Sequence, residues 1–129
     1  MGQGAGVEQD EIDAPCGLLD PVDQLRFGVC GCNHYETGYF TAFRRMAEEK
    51  FDFVFHTGDY IYESRDDGGR TDRLREHNGQ EIYTIVDYRN RYAQYKMDHD
   101  LRAAHASAPF VVTWDDHEVA NNYMGDVVP

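Results

Sequence analysis

Three short runs of near-continuous apolar residues punctuate the chain, at 26–30 (RFGVC), 53–56 (FVFH) and 110–114 (FVVTW). Each has the length of a strand, and unbroken apolarity without alternation is the pattern of a strand covered on both faces. Between the first two, residues 38–50 (GYFTAFRRMAEEK) set Phe40, Phe43, Met46 and Ala47 at helical spacing and end on a charged turn, which predicts a helix. Residues 64–80 are polar and hold Asp66-Asp67-Gly68-Gly69, a surface loop. Beyond them Ile85, Tyr88, Tyr92 and Tyr95 recur every three to four residues, predicting a second helix over 84–97. A short third helix over 101–106 follows, with Asp98-His99-Asp100 as the break between the two. The order is β-α-β-α-β with crossovers long enough for parallel pairing, an α/β arrangement with right-handed connections. Residues 1–24, rich in Gly, Asp and Pro and without an apolar period, read as a flexible lead-in, so the ordered unit is expected over 25–129.

Composition narrows the function classes. At 129 residues the chain is one domain at most, and 41% hydrophobic with 13% aromatic residues is enough for a core. The 24 acidic against 12 basic residues leave a net charge of −12, a field that repels phosphodiester backbones and argues against a nucleic-acid-binding surface. An anionic substrate would need positive charge from something other than side chains. No run approaches the length of a membrane span, and residues 1–23 show neither the basic nor the apolar region of a secretory signal. Cys30 and Cys32 are one residue apart, too close for a relaxed bridge, so with Cys16 they read as thiols or ligands. The loop at Asp66–Asp67 lacks the alternating oxygen ligands and terminal Glu of a calcium-binding EF-hand.

Ligands of open parallel sheets bind beyond the carboxyl ends of the strands. After the first run comes Cys30-Gly31-Cys32-Asn33-His34, after the second Thr57-Gly58-Asp59-Tyr60-Ile61-Tyr62-Glu63, and after the third Asp115-Asp116-His117-Glu118 with Asn121-Asn122. Singly, each block has an ordinary reading: Cys32 as a small buried hydrophobe, Asp59 closing a turn, Asp115 to Glu118 as a solvated charge run. Jointly they put metal-ligand types on one rim. Carboxylates and amide oxygens hold hard cations, whereas a thiolate or phenolate holds a trivalent or borderline one. Asp59, at the middle strand end, has two oxygens and can bridge ions about 3.5–4 Å apart. Two such cations would reverse the local sign, clamp a phosphate, acidify a water and stabilise an in-line displacement. His117 is placed to protonate a leaving oxygen or stabilise developing charge.

The strings Cys32-Asn33-His34-Tyr35-Glu36-Thr37-Gly38-Tyr39-Phe40, Gly58-Asp59-Tyr60-Ile61-Tyr62-Glu63 and Trp114-Asp115-Asp116-His117-Glu118-Val119-Ala120-Asn121-Asn122 resemble the PhoD-type alkaline phosphatases of the calcineurin-like metallophosphatase superfamily. That resemblance implies one half of a two-sheet α/β sandwich, a partial metallophosphatase domain over 25–129. It also implies an enzyme hydrolysing small-molecule phosphomonoesters, with phosphodiesters a second class, by a metal-activated water or hydroxide at a centre of Fe3+ and Ca2+. By the same resemblance Cys32, Asp59 and Tyr62 ligate the iron and Asp59 bridges to the second metal. The Gly58-Asp59-x-x-Tyr62 spacing is also similar to the purple acid phosphatase block. Asp116 falls where the superfamily has an asparagine ligand and His117 on the catalytic histidine; Asp116, Asn121, Asn122 and Asp115 are the candidates for the second metal. Cys30 and the histidines His34, His56, His77, His99 and His105 read as core or surface. Members of the family this chain resembles are usually secreted or periplasmic, while the chain itself gives no location. The alternative is a truncated, catalytically inactive metal-binding fragment of such an enzyme.

Overall fold

The computed structural model describes residues 23–64 and 73–125; the lead-in up to residue 22, Cys16 and the Asp66–Asp67 loop lie outside them. The elements are β1 (Phe27–Cys30), α1 (Thr41–Glu48), β2 (Phe53–His56), α2 (Ile85–Lys96), α3 (His99–Ser107) and β3 (Phe110–Val112). The strands form one sheet in the order β1-β2-β3, all parallel. This is the expected β-α-β-α-β order, with a third helix inside the second crossover.

Register sorts the strand residues into two faces, because partners side by side in a sheet point the same way. Gly28, Val54 and Phe110 are in register, as are Cys30, His56 and Val112. These face the helices: a Cβ on Gly28 would stand 3.0 Å from Met46 of α1, and Phe110 stacks on His105 of α3 with ring centroids 3.9 Å apart. The other face carries Phe27 and Phe53, stacked at 5.4 Å, with Val29, Phe55 and Val111 in register beside them. Phe27, Val29 and Val111 are each more than half exposed. Both faces are thus apolar in sequence, while the described residues cover only one.

Helix limits follow from local hydrogen bonding and from the core. In α2, Thr84 and Asp87 form a reciprocal capping box. Asp98 breaks the chain after α2 as expected, but it does so as the N-cap of α3: its Oδ1 accepts the amides of Asp100 at 2.9 Å and Leu101 at 3.1 Å. The third helix therefore begins at His99, two residues earlier than the apolar pattern shows. α1 is shorter than the predicted 38–50 because Phe40 leaves the helical region (ψ 34°) to bury its ring edge-on against Tyr35 and Phe43. β3 ends at Val112, before Thr113 and Trp114. The core joins Phe40, Phe43, Tyr60, Ile61, Ile82, Tyr95, Leu101 and Ala104; α1 packs on α3 and α3 on α2.

Candidate metal centre

The loops that leave the three strands are tied to each other through backbone. Cys32 N–H donates to the Gly58 carbonyl at 3.1 Å, Asn33 N–H to the Asp59 carbonyl at 2.9 Å, and Thr113 N–H to the His56 carbonyl at 3.0 Å. Contact is so close that only glycine fits at two places. A Cβ on Gly31 would lie 2.3 Å from Thr57 Oγ1, and one on Gly58 would lie 2.6 Å from the amide nitrogen of Asp115. Gly58 also has φ +112°, and Asp59 (+52°) and Cys32 (+54°) adopt left-handed backbone despite their side chains, the kind of conformation that persists only where surroundings enforce it.

Within this frame the side chains converge on Asp59, which is buried. Cys32 Sγ and the Tyr62 hydroxyl both donate to Asp59 Oδ2, at 3.4 and 3.2 Å. The other oxygen, Oδ1, accepts the His117 amide at 3.3 Å. Asp59, Asp116 and His117 bring one ligand atom each within 4.8 Å of one another. Burial, then Asp59, pushes the Cys32 thiol above its ordinary pKa, and burial with the Asp59 charge pushes the Tyr62 phenol well up. In the protein alone both groups are protonated donors. A cation at that point would replace the two protons with one charge held by thiolate, phenolate and carboxylate. That donor set fits a trivalent or borderline cation at Oδ2, while Asp116 and Oδ1 fit a hard one. The amide of Asn122 holds the Asp116 carboxyl below its ordinary range.

The other expected ligands enter differently. Asn121 donates its backbone N–H to Glu63 Oε1 at 2.6 Å, and Asn122 its backbone N–H to Asp116 Oδ2; both side chains are exposed. Asp115 is exposed and lies outside the converging group. Cys30 is half-buried in β1, its thiol pushed to about 11 by burial. His56 and His77 are buried in the core, His105 is half-buried and His99 is exposed. His34 packs its ring on Tyr62 at 4.4 Å.

Two residues outside the expected set organise the site. Glu63, 4% exposed, lies 2.8 Å from His117 Nδ1, and the His117 ring lies over Tyr62 at 4.1 Å. Glu118, also 4% exposed, accepts the amides of Asp59, Tyr60 and Asp115. Both stood in the quoted motifs: Glu63 closes a block of large apolar residues and Glu118 a run of charged ones, and either pattern also marks a surface strand end.

Beyond this geometry, residues 27–128 match the family model described as PhoD-like phosphatase. The chain belongs to that family. Over 108 residues it is 54% identical to alkaline phosphatase D of Bacillus subtilis (strain 168), a match that takes in 82% of this chain and 18% of that protein. A solved structure titled "Structure of PhoD" superposes with a TM-score of 0.73 at 55% identity, covering 77% of this chain and 19% of the other. The chain thus spans under a fifth of the length of these relatives. Among its described residues no helix is long and apolar enough to cross a membrane.

Proposed function

We propose that this chain carries part of the active site of a metal-dependent phosphatase that hydrolyses phosphomonoesters, with phosphodiesters a second substrate class. The observation that supports it best is the convergence of Cys32, Tyr62 and the His117 amide on the two oxygens of Asp59. In this reading Cys32, Tyr62 and Asp59 would hold Fe3+, and Asp59 with Asp116 and Asn121 would hold Ca2+. When bound, the cations supply the charge that draws in a phosphate and the acidity that makes water a nucleophile at neutral pH.

The remaining steps belong to the protein. Glu63 accepts from Nδ1 of His117 and so keeps a proton on that nitrogen; with Nε2 protonated as well, the imidazolium gives the Nε2 proton to the leaving oxygen and is left as the neutral Nδ1–H ring. Tyr62 supports the imidazole ring from below. The left-handed turn at Gly58–Asp59 fixes the carboxylate before substrate arrives, so no reorganisation is spent during the reaction.

Turnover of a chromogenic phosphomonoester, with metal content measured on the same samples, tests the reading. Turnover lowered by about 10³-fold in Asp59→Asn, and lost in His117→Ala, is the expected result. Iron content unchanged in both Cys32→Ala and Tyr62→Phe would overturn the ligand assignment. Metal bound stoichiometrically without turnover would favour a metal-holding piece whose chemistry needs further residues.

A further inference from the structure

We propose that Glu118 is a positioning residue that locks the loops after β2 and β3 into one frame, so that Asp59 is presented together with Asp116 and His117. Its Oε2 accepts the Asp59 amide at 3.0 Å and the Asp115 amide at 2.8 Å, and its Oε1 accepts the Tyr60 amide. The bond to Asp115 is local, three residues back in the same turn. The other two reach 58 and 59 residues back along the chain, so they constrain the relative placement of two loops and do more than cap one.

Three features make this a device for the site and not an incidental contact. Successive amides of a turn form a concavity for an anion, and here the amides of Asp59 and Tyr60 hold the carboxylate of a neighbouring loop. A buried carboxylate is costly unless its oxygens are taken up, and three amides do so for Glu118. The Asp59 amide it holds belongs to the residue whose left-handed backbone (φ +52°) aims the central carboxylate. Gly58, where a Cβ would meet Asp115 at 2.6 Å, shows the same two loops pressed backbone to backbone.

The inference rests on the metallophosphatase reading for its metal-binding arm only. Glu118→Gln keeps size and one carbonyl oxygen but turns an amide group toward a backbone N–H. The experiment measures Mn2+ affinity by electron paramagnetic resonance, with hydrogen exchange at the Asp59, Tyr60 and Asp115 amides, under conditions where each protein is folded. The expected result is a loss of about tenfold or more in Mn2+ affinity, the scale typical of groups that orient ligands, with faster exchange at those three amides. Leu101→Ala, in the α3 core, serves as a control that lowers stability while leaving Mn2+ affinity within twofold. Where Glu118→Gln does not fold, Glu118→Asp is read instead: its shorter side chain retains the local bond to Asp115 and loses those to Asp59 and Tyr60. Affinity within twofold of wild type, an equal loss in Leu101→Ala, or failure of both Glu118 variants to fold would overturn the proposal. Wild-type protein that binds no Mn2+ would instead sink the metal reading, and unchanged exchange at the three amides would then overturn the proposal on its own.

Discussion

The fold contains two clusters built from the same residue types, a histidine, a carboxylate and a tyrosine, and they are put together to opposite ends. Beside the rim, His77 packs with Glu36 and Tyr95: its amide donates to Glu36 at 3.0 Å, and its Nε2 lies 3.0 Å from the Tyr95 hydroxyl. That cluster has a cation of its own. Arg91, 1% exposed, reaches His77 Nδ1 at 3.2 Å and the Gln80 carbonyl at 2.9 Å, and it also donates to the carbonyl of Tyr62. At the rim, Asp59, Tyr62, His117 and Glu63 gather with Cys32. Among the described residues no arginine or lysine pairs with Asp59, Asp115, Asp116 or Glu118. A buried acid taken up by amides and a nearby cation is structure, whereas Asp59 and Asp116, which converge without a side-chain cation, have a charge that a bound cation would offset. Part of the charge of −12 therefore has a local meaning, since at the rim bound cations would offset it.

The contrast is broken most directly by exchanging one carboxyl for an amide at the rim. Asp59→Asn keeps the shape and tolerates left-handed backbone, yet it removes the charge on which the donors converge. Turnover of a phosphomonoester is expected to fall by about 10³-fold, the scale on which a central electrostatic group is felt. The urea midpoint should hold or rise, since functional sites carry strain at the expense of stability. A large fall in midpoint would make the rim a structural cluster like its neighbour.

The reverse holds for Arg91→Met. Removing the cation leaves the Tyr62 and Gln80 carbonyls buried without their donor, and each buried polar group orphaned in this way costs about 1–3 kcal/mol. Urea unfolding measures it, and a loss under about 1 kcal/mol would show that the cluster does not depend on its own cation. Smaller again is Glu63→Gln. The amide no longer holds His117 by charge, so kcat should drop about tenfold to a hundredfold, as for other groups that orient a functional imidazole, with KM little changed. A rise in KM at constant kcat would place Glu63 in binding and not in orientation.

How much of this could be read beforehand follows from the range of the forces involved. β2 was legible to the residue, because three apolar residues in a row followed by a histidine and a Thr-Gly turn mark a short strand and its end. The three strand ends were legible as a rim because topology alone brings Cys32, Asp59 and His117 to one edge. The start of α3 was hidden, since Asp98 looks the same whether it ends one helix or caps the next. Glu63 and Glu118 were hidden for a related reason: a glutamate reads as surface, and their partners lie more than fifty residues away in sequence. Asn121 and Asn122 were picked out for their side chains, whereas their backbone amides make the contacts found at the site. Sequence pattern carries side-chain type and period; it carries nothing of which backbone amide a buried carboxylate finds.

Acid stability sharpens the comparison from the side of the structural histidines. Burial, and then Arg91, depresses His77, while burial and then Lys96 depress His105 to about 4. Both are thus neutral in the folded protein well below the pH at which an unfolded histidine takes up a proton, near 6.5. The unfolded chain gains protons first as pH falls, so the contribution of these groups to stability is complete above about pH 6.5 and is lost between there and about pH 4. The slope approaches about 1.4 kcal/mol per pH unit for each group inside that window. Urea midpoints taken from pH 7.5 down to 4.5 should fall along this curve, and His105→Gln should make the fall shallower. Midpoints flat across the window would mean that these two histidines accept protons without opening the core around Tyr60 and Phe110, against which His105 is packed.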